Sequence, residues 1–299
     1  MKHITKTLAL ALIVLTTISC KNEKEKTDET TTTTDSIAVV KTQRIISLNG
    51  ALTEIVAGLG HRDEIVGVDV TSSYPEAIKE TAQDLGHVRS ISVEAIMALK
   101  PTLVLATNRD ISPELAQKIE LAGVTTQIFE REYTPYGAKK TIEEVANILE
   151  DDGAEQLKKQ IDNGLEKVNV LKQQPKVLFI YARSAGALMV SGKNTPVDKI
   201  ITLAGGVNAI DGFDDYKPLT PEAVVKANPD VILMFNSGIQ SLGGVEGAMA
   251  QIQGIDKTNA GKNKKIIAMD GGLLSGFGPR LGEAAAQLNS KLAQSTNAK

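Results

Sequence analysis

From Arg44 onward the chain alternates short apolar runs with amphipathic stretches. "RIISL" (44–48), "EIVGV" (64–68), "LVLA" (103–106) and "TQIF" (126–129) predict buried strands. Between them, "ALTEIVAGLG" (51–60), "VEAIMALK" (93–100) and "SPELAQKIELAG" (112–123) predict helices. Ser112 is placed to cap the last of these and Gly123 to stop it. After Pro175 the pattern restarts with strand "KVLFIYA" (176–182) and helix "PVDKIITLAGG" (196–206). Strands "VILMF" (231–235) and "KIIAM" (265–269) follow, then a final helix from about Pro279. Strands that alternate with helices predict parallel sheets covered by helices.

Between the two runs lies "GAEQLKKQIDNGLEKVNVLKQQP" (153–175). Leu157, Ile161, Leu165, Val168 and Leu171 recur at three- and four-residue steps, so a single apolar face is predicted. Gly153 and Pro175 bracket it, and Gly164 weakens it slightly. A helix from Ala154 to Lys172 would run about 28 Å. The expected fold class is therefore α/β, with two Rossmann-like lobes of parallel sheet (42–152 and 175–299) joined by one long helix (153–174). A ligand cleft is expected between the lobes, where binding sites commonly lie.

The two halves also resemble each other. "SVEAIMALKPTLVLA" (92–106) aligns without a gap on "TPEAVVKANPDVILM" (220–234), matching Glu94 with Glu222 and Pro101 with Pro229. Helix, proline and strand recur in one order, which predicts lobes built alike.

The N-terminus has a different character. "MKHITKTLALALIVLTTISC" carries Lys2 and Lys6, an apolar run from Leu8 to Leu15, and small residues before Cys20. That is the layout of an export signal, too short for a membrane span. Cys20 is the only cysteine, so no disulfide framework is available. "TISC" resembles a bacterial lipobox, with cleavage before Cys20 and lipid on its sulfur. The next segment, 21–41, is charged and threonine-rich, with no apolar residue before Ile37, and reads as a flexible tether. An exported lipoprotein is the expectation, with residues 1–20 as its signal peptide and the lipid on Cys20 as its membrane anchor on the periplasmic or cell-surface side.

Composition narrows the chemistry. A formal charge of −3 gives no basic footprint for nucleic acid. Beyond the signal the chain has two histidines, His61 and His87, too few for a three-histidine metal site or a ready Ser-His-Asp triad. "GALMVSGKNT" (186–195) misses a phosphate loop by one residue of spacing, and Asn194 replaces the Ser/Thr that would hold magnesium. The third glycine of "SGFGPRLG" (275–282) is one residue late for a dinucleotide fingerprint, and no G-x-S-x-G elbow occurs. No catalytic residue is assigned, and a monomer is expected.

In a chain with 3% aromatics, the loop "DVTSSYPEAI" (69–78) places Tyr74 directly before Pro75. Proline restricts the preceding residue toward extended backbone, so the ring either covers nearby apolar surface or stands at the mouth of a pocket. The stretches 44–76 and 85–106, with "LTPEAVVKANPDVILM", resemble the periplasmic binding proteins of iron-siderophore, haem and cobalamin importers. "TSSYPEA", "VSGKNTPVDKIITLAGGVNA" and "SLGGVEG" resemble the haem-binding branch.

That resemblance implies that Tyr74 ligates haem iron, with Ser73 beside it. A phenolate is a hard anionic oxygen donor, and tyrosine is an established axial ligand of haem. It implies further a haem pocket and an ABC permease with its ATPase as partner. Pocket candidates are Arg89, Arg183, Tyr216, Ser237, Leu273, Leu274 and Phe277. Arg183 is a propionate partner or a solvated loop residue. Leu273, Leu274 and Phe277 cover a porphyrin face or simply pack their loop. Family members place an arginine near residues 236–237 to contact the tyrosinate, and this sequence has none there. Arg280 reads as structural, at the start of the last helix, and Arg89 as a first-lobe substitute. Glu94 and Glu222 are the expected permease-docking pair, or merely glutamates favoured at helix starts. Cobalamin or a ferric siderophore is the alternative cargo; a haem-handling enzyme or a haem buffer is the alternative of another class.

Overall fold

The computed structural model describes residues 43–182, 186 and 188–297. The export signal, Cys20, the tether 21–41 and Arg183 lie outside the described residues.

The first sheet contains β1 (Ile45–Ser47), β2 (Ile65–Val68), β3 (Gln83–Asp84), β4 (Leu103–Thr107) and β5 (Thr125–Phe129). Its order is β3-β2-β1-β4-β5 and every pairing is parallel. Helices α1 (Gly50–Gly58), α2 (Ile78–Thr81), α3 (Val93–Ala98), α4 (Pro113–Leu121) and α5 (Pro135–Leu149) accompany it. Ser112 caps α4 by accepting the Leu115 amide at 3.2 Å, as its position predicts. The 15-residue α5, which the apolar spacing did not bring out, starts at Thr134, whose hydroxyl accepts the Gly137 amide at 2.9 Å.

After α6 (Ala154–Leu165) comes the second sheet: β6 (Lys176–Ala182), β7 (Leu188–Ser191), β8 (Val207–Asn208), β9 (Tyr216–Pro218), β10 (Val231–Phe235) and β11 (Ile266–Met269). Its order is β11-β10-β6-β7-β9, with β8 beside β6. This sheet is mixed rather than parallel: β7 runs antiparallel to both β6 and β9. Only five positions separate the end of β6 from the start of β7, too few for the crossover helix a parallel pair needs. The remaining helices are α7 (Pro196–Leu203), α8 (Pro221–Ala227), α9 (Asn236–Ser241), α10 (Gly244–Gln251), α11 (Asn259–Lys262), α12 (Gly271–Ser275) and α13 (Leu281–Asn297).

Alternation along the central strands decides which core each side chain joins. Val177, Phe179, Val231 and Leu233 face a core shared with Ile45, Ile55, Ile142 and Ile161 of the first half. Their neighbours Leu178, Ile180, Ile232 and Met234 face a second core confined to the C-terminal half. Ile46, Val104 and Ile119 build a third, on the outer side of the first sheet. One apolar core thus runs through both lobes.

The linking helix is shorter than the expected 153–174 span. It covers Ala154–Leu165, 12 residues, about 18 Å. Beyond it the buried Asn289 of α13 takes over the backbone: Asn169 N donates to Asn289 Oδ1 at 3.0 Å, and Asn289 Nδ2 donates to Asn169 O at 2.8 Å. Asn289 Nδ2 also donates to Ala204 O at 3.1 Å. These bonds replace the ones a further helical turn would form, so 166–175 continues without helix while Val168 and Leu171 still pack on the shared core.

The internal repeat extends to the backbone. Ser92 caps α3 and Thr220 caps α8, each accepting an amide three residues on at 3.2 Å. Ile96 and Val224 are both fully buried. Lys100 (φ 48°) and Asn228 (φ 38°), each just before the matched proline, both adopt left-handed backbone.

Candidate ligand site

The loop that carries Tyr74 is pinned at its base. Asp69, 1% exposed, ends the chain's exit from β2. Its Oδ2 accepts from Thr71 N (3.0 Å) and Thr71 Oγ1 (2.7 Å), and its Oδ1 from Ser72 Oγ (2.8 Å). Buried Ser72 also bonds Thr53 Oγ1 of α1 at 2.7 Å, and Thr53 donates to Ser47 Oγ at the end of β1 (2.8 Å). Buried hydroxyls and a carboxylate in mutual contact make a stiff support. Above it Ser73 is exposed and Tyr74 is 43% exposed, with a cis bond to Pro75. The loop lies at the C-terminal edge of a parallel sheet, where such folds present ligand contacts.

Segment 271–280, which follows β11 of the second sheet, crosses to meet this loop. A Cβ built on Gly272 would stand 3.2 Å from Ser73 Oγ, so the two loops meet closely there. Arg131 Nη2 donates to the carbonyls of Ser275 (3.0 Å) and Gly276 (2.9 Å). Phe277, in left-handed backbone at φ 53°, sets its ring edge against Tyr133 with centroids 5.4 Å apart. A bulky residue in that conformation is strained and persists only where its surroundings over-determine it. Arg280 ends the segment with its guanidinium carbon 3.9 Å from the Tyr74 ring centroid. Its Nε donates to Glu54 Oε2 at 3.0 Å and its Nη2 to Glu54 Oε1.

Arg280 therefore does more than open the last helix: it is a cation beside Tyr74. Burial works against its charge, and the carboxylates of Glu54, Asp270 and Glu283 outweigh that, holding the guanidinium above its ordinary value. Burial raises the Glu54 carboxyl despite the bonds from Arg280.

The other candidates divide. Leu273, Leu274 and Phe277 are 8%, 0% and 6% exposed, and they pack the crossing segment into the shared core rather than present a free face. Tyr216 opens β9 opposite Ser191. Burial pushes its phenol up to about 12 while Thr195 and Ser191 bond it, so it stays protonated. Ser237 is exposed on the first turn of α9, just after Phe235. Arg89 is exposed in a groove shared with Arg109 and Lys118, and its amide is accepted by His87 Nδ1 at 3.2 Å. Of that groove's residues, Arg109 also reaches the Tyr133 ring, which Phe277 of the crossing segment meets.

Arg109 and Arg131 escaped the sequence reading. Both guanidiniums lie over the Tyr133 ring, at 5.6 and 5.3 Å. Each sits two residues past the end of a parallel strand, Thr107 or Phe129, and that position was the available signal. A concavity of about 880 Å³ between α6 and α13 is lined by polar side chains such as Gln156, Lys159 and Gln287. Its lining includes Glu283, one of the carboxylates that act on Arg280, and no other acidic or histidine side chain.

Glu94 and Glu222 occupy the same place in their lobes, the second residue of α3 and of α8, and both are exposed. The Glu94 carboxyl is lowered by its own backbone amide and by the Ser92 hydroxyl.

The profile described as "periplasmic binding protein" matches residues 45–272. The periplasmic heme-binding protein RhuT from Roseiflexus sp. RS-1, solved in apo form, superposes with a TM-score of 0.81 at 36% identity, covering 86% of this chain and all of that one. An ABC transporter substrate-binding lipoprotein of Bacillus subtilis, YvrC, is 28% identical over 82% of this chain and 78% of its own length. A vitamin B12-binding protein of Yersinia pestis is 31% identical over 67% of this chain and 71% of its own.

Proposed function

The chain belongs to the periplasmic binding protein family, whose members bind a solute rather than transform it, and on that premise we propose that it captures ferric haem at Tyr74 for delivery to an ABC permease. The observation that carries this reading is the exposed phenol of Tyr74 at the tip of a loop whose base is buried and fully bonded. A free phenol is protonated near neutrality, with a pKa near 10. Ferric iron supplies the positive charge that favours phenolate. The likeness to a haem-binding structure at 36% identity supports haem over other iron carriers. Arg109 and Arg131, at the ends of β4 and β5, are cations within the same loop set, suited to the two propionates.

The test is an absorption titration of the purified protein with ferric haem. A saturable high-spin tyrosinate-type spectrum is expected; a spectrum of free haem throughout would end the proposal. The likeness to a vitamin B12-binding protein supports cobalamin as the second reading, and the same titration with cobalamin decides between them.

Two further roles belong to the proposal. Glu94 and Glu222, matched by the repeat, dock the permease, because paired charges on both lobes fix orientation and steer encounter. Reversing both to lysine should leave the haem spectrum intact and reduce uptake at least about tenfold; normal uptake would dismiss the docking role. Cys20 carries the anchoring lipid, in line with a relative that is a lipoprotein. A Cys20→Ser chain should then fractionate as soluble, and one that stays with membranes would exclude the anchor.

A further inference from the structure

The internal repeat reaches further than the glutamates it matches. Ser92 aligns with Thr220, and the same offset puts Ile91 on Leu219 and Arg89 on Lys217. Each stretch forms a wall of a groove beside its own helix. In the first lobe, Val88, Ile91 and Leu115 line a groove of about 590 Å³ that ends at the Ser92 cap of α3. In the second, Leu188, Leu219 and Pro221 line one of about 510 Å³ at the start of α8. The repeat thus sets one groove next to Glu94 and another next to Glu222.

The two grooves differ in charge. The lining of the second carries no charged side chain, and Lys217 instead lies over the Phe213 ring at 4.5 Å. The first carries Arg89, Arg109 and Lys118, all exposed. No ion pair among the described residues uses any of the three. Its two carboxylates are committed within the fold. Asp110 accepts from Thr107 Oγ1 at 2.6 Å and from Asn49 Nδ2 at 2.9 Å. Glu114 is lowered by its own backbone amide and the Ser112 hydroxyl, with Lys118 adding to both. Arg109 is shared with the Tyr133 ring, which leaves Arg89 and Lys118 as the cations of the groove alone.

We infer that the groove of Arg89 and Lys118 is a further docking element for the permease, one that receives an acidic segment of that membrane protein beside the contact made by Glu94. This rests on the docking reading of Glu94 and Glu222. Lys118 also acts on the Glu94 carboxyl, after that group's own backbone amide and the Ser92 hydroxyl, so opposite charges share one face of the lobe. A flat anionic membrane would attract the lysine and repel the glutamate. A folded partner can set a cation against Glu94 and a carboxylate in the groove, and complementary charges of that kind steer encounter and fix register. Because the second groove is uncharged, this recognition belongs to the first lobe even though the glutamates are matched.

The experiment measures haem uptake in cells whose only copy of the protein is the variant. Arg89→Glu with Lys118→Glu should reduce uptake about tenfold, and Arg89→Gln with Lys118→Gln about threefold. Arg89→Lys with Lys118→Arg keeps both charges and should stay within about twofold of the parent. Both side chains are exposed and unpaired, so the melting curve and haem spectrum of each purified variant should match the parent's. Uptake that ignores this order of charge, while the Glu94 and Glu222 reversal still abolishes it, overturns the groove and leaves the docking pair standing. Uptake that survives the glutamate reversal removes the docking reading itself. Weakened haem binding in the Arg89 and Lys118 reversal would assign the groove to the cargo instead. The unlipidated Cys20→Ser chain, mixed with phosphatidylglycerol vesicles, tests the remaining occupant: flotation that the reversal removes would assign the groove to lipid headgroups and overturn the proposal.

Discussion

Tyr74→Phe is expected to abolish the tyrosinate-type spectrum on addition of ferric haem and to weaken binding by roughly a hundredfold or more. Changes in groups that merely support a metal ligand already cost 10- to 100-fold, and this one removes the ligand oxygen itself. The substitution is isosteric apart from that oxygen, and the ring is 43% exposed at a loop tip. Folding should therefore be unaffected, and a melting curve superimposable on that of the parent is part of the expected result. The loop's own bonds run through Asp69, Thr71 and Ser72 and do not involve the phenol. A variant that retains the band would move the iron ligand to another residue.

Gly282→Ala is expected to have the largest effect on stability. A Cβ at Gly282 would lie 2.1 Å from Ile161 O and 2.8 Å from Gly164 Cα. One at Gly164 would meet Gly282 backbone at 2.4 Å. The helices α6 and α13 touch backbone to backbone at this crossing, and no side-chain rotation relieves the overlap. Over-packing of this kind costs about 3 kcal/mol, which for a chain of this size lowers Tm by about 6–12 °C. Thermal unfolding followed by circular dichroism measures it, and a Tm within about 2 °C of the parent would show that the helices can part freely. On local propensity alone, alanine would favour either helix by up to about 1 kcal/mol, so the sign of the change separates the two effects.

Much of the architecture was legible in the chain. The strands at 103–107, 125–129, 176–182 and 231–235 stand within a residue of the apolar runs that predict them. Ser112 and Gly123 bound α4 as read, with Gly123 at φ 84°. The repeat of 92–106 in 220–234 placed Glu94 and Glu222 at one position of one motif, and the fold agrees even to the left-handed residue before each proline. These features are local: an alternation, a cap or a proline acts within a few residues of itself. Locally, Tyr74 stood out only as a tyrosine held before a proline in a loop after a strand; its reading as an iron ligand came from the family resemblance.

The residues that escaped are those whose partners lie far along the chain. Arg280 and Glu54 are 226 positions apart, and no spacing rule joins them. Asn289 ends the linking helix from 120 positions away, so the apolar stripe of 153–174 predicted helix where the tertiary structure supplied other partners for the backbone. Gly164 read as a weakness in its own helix and proved to be the site of closest approach to another. The strand reversal at β7 escaped too, because periodicity tells which face a residue buries and not which way its neighbour runs. Hydrophobic alternation and capping chemistry, acting over one element, determined that this chain forms two α/β lobes and left Tyr74 before a proline in the loop after β2. Only the folded arrangement decided which cation stands over that phenol and how closely the helices meet, since desolvated charge and steric overlap exist only once distant segments share the same space.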